Sequence, residues 1–205
     1  AVGSNRMNGR DADAPVDGRV ARAHRTKDAI VTACTELLLE GDLRPTAPRI
    51  ADRAGVSVRS VFLHFEDLEQ LFTAVADRFF SRTSREVSRI DPDAPLERRV
   101  GDFVSERARL FEVVTPMRRA ANVHAPTSMV LTTRLRMAQD FLRGEVARTF
   151  APELSRREEP DAAQLLDALD ATPSWSSWDT LRSIMGRPPD VARSVLERSV
   201  LALLA

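Results

Sequence analysis

The sequence predicts an all-α fold, and three observations carry that prediction. Apolar residues recur at a spacing of three and four along most of the 205 residues, which is the period of an amphipathic helix. Prolines and glycines fall at the ends of these periodic stretches, where helices start and stop. The sequence shows neither the alternation of strands nor an internal repeat nor a glycine-rich phosphate loop.

Composition narrows the class of protein. The 30 Lys and Arg residues match the 30 Asp and Glu residues, so the chain is not a uniformly basic nucleic-acid binder. Cys34 is the only cysteine, and its apolar neighbours predict a small core residue rather than a redox sensor. With no disulfide, no signal-peptide core and no apolar run of the ~20 residues that a span needs, we expect a cytoplasmic protein without membrane contact.

The first elements follow from local composition. Residues 1–23 mix Gly, Asp, Pro, Asn and Arg without periodicity, which predicts a disordered N-terminal arm. The spacing of Arg19, Arg22 and Arg25 suggests a hypothetical arm that reaches into an adjacent DNA minor groove. A first helix is predicted from Thr26 to Glu40, where Gly41 ends it.

Residues 46–72 form the most specific motif of the chain. Ile50 and Ala51 lie on the apolar face of a short helix, and Gly55 supplies the left-handed residue that ends it. Ser57 is a good N-cap for a second short helix that starts at Val58. Two short helices joined by such a turn predict a helix-turn-helix, which lays its second helix in the DNA major groove. An ordinary helical hairpin with a glycine cap is the alternative.

The second helix is predicted from Val58 to His64. It buries Val61 and either Phe62 or Phe65. The side chains that remain face outward, where they can reach base edges: Val58, Arg59, Ser60, Leu63 and His64. Between residues 19 and 65 eight basic residues oppose five acidic ones, a local net charge of about +3 that favours DNA.

The same region resembles the N-terminal domain of the TetR (tetracycline-repressor-like) regulators. The resemblance runs from about Arg25 to Phe80 and rests on RTKDAIVTACTELLLEG, Thr46, IADRAGVS, VFLHF and LEQLF. It implies an all-helical homodimer whose C-terminal domain binds a small molecule and thereby changes the distance between the two recognition helices. Phe62 stands where the family usually has tyrosine, and Leu68 where it commonly has lysine. The predicted DNA-binding residues are Arg25, Lys27, Thr46, Arg49, Ser57, Val58, Arg59, Ser60, Phe62, Leu63 and His64.

Proline positions divide the rest of the chain into further helices. A fourth helix is predicted from Leu68 to the late eighties, and Pro92 and Pro95 follow it. Pro116 and Pro126 are expected to bracket a short helix of their own. The remaining predicted helices run over 96–114, from a cap at Thr127 or Ser128 to 150, on both sides of the proline step at 173, and over 190–204.

The last third carries a second informative block. SWSSWDTLRSIMG followed by VARSVLERSVLALL resembles C-terminal segments of actinobacterial TetR-like regulators, in which two apolar-faced helices pair with their copies in a four-helix dimer interface. The alternative is that these faces close the core of one subunit. The predicted interface residues are Leu165, Leu169, Val191, Val195, Leu196, Val200 and Leu203.

The family resemblance places the effector pocket among the middle helices. Apolar walls with a few polar groups predict a mostly hydrophobic effector, such as an acyl chain, an aromatic compound or a lipophilic drug. An arginine inside the pocket would favour a carboxylate. For each residue alone, core packing is the alternative. The predicted ligand-binding residues are Phe103, Phe111, Met117, His124, Thr133, Met137, Phe141 and Trp178.

No pattern of residues predicts catalysis. The three histidines are far apart and lack zinc or di-iron spacing, and no serine lies in a nucleophile elbow. We therefore predict no catalytic residue, metal ligand or cofactor. The predicted domains are a helix-turn-helix DNA-binding domain over 24–66 and a helical effector-binding and dimerisation domain over 67–205.

The predicted function is a ligand-responsive transcription regulator. Its partners are double-stranded operator DNA, a small-molecule effector and a second copy of the chain. We expect a repressor that the effector releases from a palindromic operator, although sequence does not distinguish repression from activation. The alternative is a helical ligand-binding or interaction protein with weak or lost DNA binding.

Overall fold

The computed structural model describes residues 14–205, and every regular element in that range is helical, as predicted. Ten α-helices follow one another, with a 3₁₀ turn at Ala125–Thr127 and a π-turn at Thr180–Ile184. Their bounds are α1 Ala14–Leu39, α2 Ala47–Ala54, α3 Val58–His64, α4 Leu68–Thr83, α5 Leu96–His124, α6 Met129–Thr149, α7 Ala151–Leu154, α8 Asp161–Ala171, α9 Trp175–Asp179 and α10 Pro189–Leu204.

Helix α1 is longer than the sequence predicts. It begins at Ala14, so the described part of the predicted disordered arm is helical, and that part of the prediction is wrong. Alanine and arginine, which have high helix propensity, dominate residues 19–25, and they extend the helix from its buried part at Ile30. The rest of the predicted arm, residues 1–13, lies outside the described residues.

The N-terminal cluster of buried side chains joins α1, α2, α3 and α4, and it holds the helix-turn-helix together. Ile50 and Val61 are fully buried in it, as predicted. Phe65 is the buried phenylalanine of the predicted pair, whereas Phe62 is 47% exposed. Gly55 ends α2 with φ of 66°, in the left-handed region that favours glycine.

Helix α5 differs from the prediction at Pro116. The sequence predicted two helices separated by this proline, but α5 continues through it from Leu96 to His124. Proline removes one N–H donor, and packing of α5 on both sides compensates, because Phe111 lies in the C-terminal cluster and Met117 in the N-terminal cluster. Helix α4 also ends earlier than predicted, at Thr83. The predicted cap of α6 is Ser128, whose Oγ accepts a hydrogen bond from the Leu131 N–H at 3.1 Å.

The C-terminal cluster forms between α5, α6, α8, α9 and α10. Its centre is made of large apolar side chains, with Phe103 and Phe150 in edge-to-face contact at 5.2 Å between ring centroids. At its margin Arg99 is buried and donates to the Thr149 carbonyl at 2.9 Å and to Glu153 Oε2 at 2.8 Å. Hydrogen bonds from Arg99 hold the pKa of Glu153 below its usual value.

Two smaller predictions can be compared with the structure. Cys34 is fully buried, and burial, followed by the nearby Asp42 charge, raises the pKa of its thiol to about 12. The predicted role as a core residue is confirmed. Among the described residues, no helix is both long enough and apolar enough to cross a membrane.

Candidate DNA-binding surface and effector cavity

The outer face of α3 is the candidate DNA-binding surface. Leu63 is 78% exposed, and Val58, Arg59 and Phe62 are exposed beside it. Ser57 begins the helix, and its Oγ accepts a hydrogen bond from the Ser60 N–H at 3.1 Å. The predicted outward orientation of Val58, Arg59 and Leu63 is therefore confirmed, while the predicted Ser60 and His64 are half-buried.

The start of α2 adds a possible phosphate contact beside α3. Thr46 precedes the helix in an extended conformation and is exposed. Within the described chain its hydroxyl makes no capping hydrogen bond to α2, so it can serve another acceptor or donor. Backbone N–H groups at a helix start are suited to phosphate oxygens.

The helix-turn-helix formed by α2 and α3 is called the reader here, and its arginines differ in whether a carboxylate pairs with them. Arg53 is held by both oxygens of Glu40 at 2.8 Å, which makes it part of the α1–α2 contact. Arg49 pairs with Asp42 at 2.7 Å but stays 61% exposed. Arg59 has no carboxylate within 4.0 Å among residues 18–205 and is exposed on α3. Arg59 is therefore the arginine best placed to contact base edges.

The predicted basic residues of α1 lie above the same surface. Arg25 and Lys27 are exposed, and the Lys27 Nζ lies 5.3 Å from the centroid of the Phe65 ring. Since Phe65 is buried directly after α3, this cation–π contact ties α1 to the end of the recognition helix.

A cavity of about 200 Å³ lies between α4, α5, α6 and the start of α9. Its wall is mostly apolar, and Phe80 meets Phe141 there edge to face at 5.8 Å between ring centroids. Four of the predicted ligand-binding residues line it: Phe111, Met117, Met137 and Phe141.

The other four predicted ligand-binding residues do not line this cavity. Phe103 packs on Phe150, and Trp178 is buried with its indole N–H donating to Glu112 Oε1 at 3.0 Å. Thr133 is exposed and donates to the carbonyl one helical turn earlier. His124 contacts the N-terminal cluster instead, since its Nε2 lies 3.0 Å from the Leu43 carbonyl oxygen and its ring centroid 4.6 Å from that of Phe72.

Two arginines that were not among the predicted ligand-binding residues line the cavity, Arg107 and Arg118. Both belong to the apolar face of α5: Arg107 lies four residues after Phe103, and Arg118 lies four residues after Val114. This spacing could have predicted that both side chains point inward, because a charged residue within the apolar stripe of a helix faces the same way as its apolar neighbours.

The predicted dimer interface needs a larger correction. Leu165, Leu169, Leu196 and Val200 are buried in the subunit's own C-terminal cluster and leave no surface for a partner. The alternative, that these faces close one subunit, is correct for those four residues. Leu203 is half-buried against the same cluster, and only Val191 and Val195 stay exposed.

Comparisons with known proteins agree with this architecture. Residues 30–75 match the model of the family described as bacterial regulatory proteins, tetR family. No curated protein matches the chain.

Solved structures with the same fold cover most of the chain. A transcriptional regulator from Rhodococcus sp. Rha1 is 22% identical with a TM-score of 0.60, covering 89% of this chain and 95% of that one. A TetR transcription regulator from Haloarcula marismortui is 17% identical with a TM-score of 0.60, covering 87% of this chain and 96% of that one. The multidrug binding protein EbrR, complexed with imidazole, is 20% identical with a TM-score of 0.55, covering 87% of this chain and 94% of that one.

The matched segment contains the whole helix-turn-helix, from Ile50 of α2 to the exposed face of α3. The remaining helices have the fold of the solved regulators. Residues 30–75 therefore match the tetR family of bacterial regulatory proteins, and the chain as a whole has the fold of solved TetR regulators.

Proposed function

We propose that the protein is a homodimeric repressor that a small, mostly apolar effector releases from a palindromic operator. The observation that carries this proposal is the double role of α4. Leu71 and Val75, in its first half, are buried in the N-terminal cluster under the helix-turn-helix. Phe80 and Thr83, in its second half, line the cavity. A ligand that displaces the second half therefore acts on the packing of the first.

Other contacts also connect the cavity with the helices that support the reader. Met117 of α5 lines the cavity and also belongs to the N-terminal cluster. In the cavity wall, Asp77 accepts from the Arg134 guanidinium, with 3.1 Å between Oδ2 and an Nη atom. Glu69, the second residue of α4, accepts from the Ser128 hydroxyl at the start of α6. Helix α4 is thus bonded to α6 near its start and near its middle, so a change in the cavity that shifts α6 also acts on α4.

The proposed mechanism follows from two-fold symmetry. Two recognition helices contact successive major-groove faces, which lie about 34–36 Å apart along B-DNA. The effector favours a conformer in which α4 no longer keeps that spacing, so operator affinity falls. Linkage requires that operator DNA weakens effector binding by the same factor. The proposed role is non-enzymatic, and because the partner is genomic DNA, the compartment we propose is the cytoplasm.

We propose that the outer face of α10 forms the dimer contact. Val191 and Val195 are exposed there one helical turn apart, and Leu201 is exposed nearer the C-terminal end, while Ala192, Leu196 and Val200 of α10 are buried in the subunit's own core. An apolar stripe on a terminal helix is suited to a symmetric contact with its own copy. The buried leucines predicted for the interface are thus not part of the proposed contact, which uses exposed side chains of α10 instead.

The function is tested by selecting bound fragments from genomic DNA with purified wild-type protein and with Arg59→Ala. Arg136→Ala is the matched control, since Arg136 is an exposed arginine of α6 outside the reader. We expect a palindromic site that the wild type and the control recover and that Arg59→Ala loses. Recovery of no site by a folded dimer would contradict the proposal.

The dimer contact is tested by sedimentation of Val195→Arg. We expect its monomer–dimer equilibrium to shift toward monomer, because a charge on the contact face is desolvated without a partner. Val130→Arg is the matched control, since Val130 is 43% exposed and Val195 is 42% exposed. Equal dimerisation of both variants would place the contact elsewhere.

A further inference from the structure

The cavity wall holds one guanidinium that has no hydrogen-bond or ion-pair partner among residues 18–205. Arg118 lines the cavity, and its Nε is buried without a hydrogen-bond partner in that range. Its guanidinium lies over the Trp175 ring, with 5.7 Å between Cζ and the ring centroid. The residue is half-buried, and this burial lowers the pKa of its guanidinium. Partial desolvation of a cation without an anionic partner is unfavourable, so its position calls for an explanation.

The other charges at the cavity are compensated within the protein. Arg134 is paired with Asp77. Asp170 accepts from the Gln139 side-chain amide at 2.9 Å and lies 3.7 Å from Arg143. One Asp170 oxygen, Oδ1, is buried without a partner among the described residues, but the carboxylate's charge is met by Arg143.

The neighbouring arginines of α5 have partners within the protein. Arg107 donates to the Leu142 carbonyl at 2.7 Å; burial lowers its pKa to about 10, and the charges of Asp170 and Glu145 offset part of that effect. Arg119, next to Arg118 in sequence, pairs with Asp179 at 2.7 Å. Among residues 18–205, Arg118 is therefore the one cavity-lining arginine that makes neither a hydrogen bond nor an ion pair.

The surroundings of Arg118 fix the guanidinium in place. The Trp175 indole N–H donates to Thr115 Oγ1 at 3.0 Å, which holds the ring on which the guanidinium rests. The remaining wall is apolar and aromatic, with Phe80 and Phe141 in contact across it. A guanidinium positioned in this way presents planar donors that match a carboxylate.

We propose that the effector is an amphipathic carboxylate whose anionic group binds Arg118 and whose apolar body fills the aromatic part of the cavity. This inference rests on the proposed function, because it names the class of ligand that the same cavity takes. Arg107 does not share the carboxylate, since eleven residues of α5 separate it from Arg118, a rise of roughly 16 Å. The apolar body therefore extends from Arg118 toward the Arg107 end of the cavity.

The test is calorimetric titration of the full-length protein with matched probes. Decanoate is compared with decan-1-ol, 4-phenylbutyrate with 4-phenylbutan-1-ol, and decyltrimethylammonium serves as the cationic probe. We expect at least one carboxylate to bind about tenfold more tightly than its alcohol. The alkyl and phenyl pairs distinguish a fatty acid from an aromatic acid. Carboxylates that bind no better than their alcohols, or preferred binding of the cation, would overturn the inference.

Substitutions assign the preference to Arg118. Arg118→Met should remove the preference for carboxylate over alcohol, and Arg118→Lys, which keeps the charge, should retain part of it. Arg119→Met is the matched control, because Arg119 is the next residue of α5, does not line the cavity and pairs with Asp179. The control should keep the preference. An unchanged preference in Arg118→Met, or a loss of preference in the control alone, would overturn the assignment. If Arg118→Met does not fold, Arg118→Lys decides, because a preference equal to that of the wild type would overturn the assignment.

Operator binding is measured separately, so that the two proposals fail separately. Selective binding of a carboxylate without release of operator DNA would contradict the proposed effector response and leave the ligand class standing. Release of operator DNA by the alcohols as readily as by the carboxylates would keep the regulatory role and overturn the ligand class.

Discussion

The reader and the cavity both depend on arginine, but they keep it in opposite environments. On the reader, Arg53 and Arg49 are paired with carboxylates at the surface, and Arg59 stands exposed on α3. At the cavity, Arg118 has no carboxylate partner and its Nε is buried. An exposed arginine keeps its hydration until DNA arrives, whereas the half-buried Arg118 has already lost part of its hydration before any ligand binds. Arginine desolvation in the reader therefore accompanies DNA binding, whereas part of the desolvation of Arg118 accompanies folding.

Arg99 completes the comparison, because it is as buried as a cavity arginine but fully paired. Its guanidinium donates to Ala94, Thr149 and Glu153. The three environments predict three different responses to substitution.

The largest effect is expected from Glu153→Gln. Removal of this carboxylate leaves the buried Arg99 charge unpaired, which should lower the free energy of unfolding by about 3 kcal/mol. Chemical denaturation at neutral pH measures the loss. Glu97→Gln is the control, because Glu97 is an exposed carboxylate in the first turn of α5, the helix of Arg99; its free energy of unfolding should change little. Equal stability of the two variants would mean that Arg99 does not need its partner.

Arg59→Ala should weaken operator binding by about 1–3 kcal/mol and relax specificity at one base pair. The physical reason is that Arg59 is exposed on the recognition helix and is paired with no carboxylate of residues 18–205. Fluorescence anisotropy with the selected operator and its single-base variants measures both effects. A uniform loss across all base variants would assign Arg59 to the phosphate backbone instead.

Acid should weaken the Arg99–Glu153 pair by a smaller amount. The pKa of Glu153 is lowered in the folded protein, so this group contributes stability at neutral pH. That contribution is lost as pH falls from the unfolded carboxyl value of about 4.3 through the lower folded value. The stability difference between wild type and Glu153→Gln should therefore shrink on acidification. A difference that stays constant down to pH 3 would contradict the assigned pair.

The smallest effect is expected from Arg53→Met. The Arg53–Glu40 pair has good geometry but lies in solvent, where side-chain entropy and screening offset most of its attraction. Melting temperature and operator affinity should both stay within the scatter of repeated measurements. A clear loss of operator affinity would show that Arg53 contacts DNA rather than only bracing α2.

The sequence predicted the reader well because its structure is encoded locally. Gly55, Ser57 and Val61 each act within a few residues of their own position, through a left-handed turn, a helix cap and one buried contact. The prediction went wrong mainly in the N-terminal arm, where residues 14–23 are helical.

The cavity was predicted only in part, because it depends on how separate helices rotate against one another. Phe111 and Phe103 share a helix and a chemistry, yet only Phe111 lines the cavity. Arg118 was missed because charge normally indicates solvent, although its position in the apolar stripe of α5 pointed inward. Likewise, Leu169 has the pattern of an interface residue and is buried within one subunit, since amphipathicity does not say what covers a face.

Helix α5 passes through both clusters, and that continuity has a thermodynamic consequence. Val100, Phe103 and Phe111 anchor it in the C-terminal cluster, and Met117 and Ala120 anchor it in the N-terminal one. Because neither cluster can lose its order without unwinding a helix that the other needs, calorimetry should record a single cooperative transition. A compound bound far from the recognition helix would then raise the temperature at which the recognition helix melts.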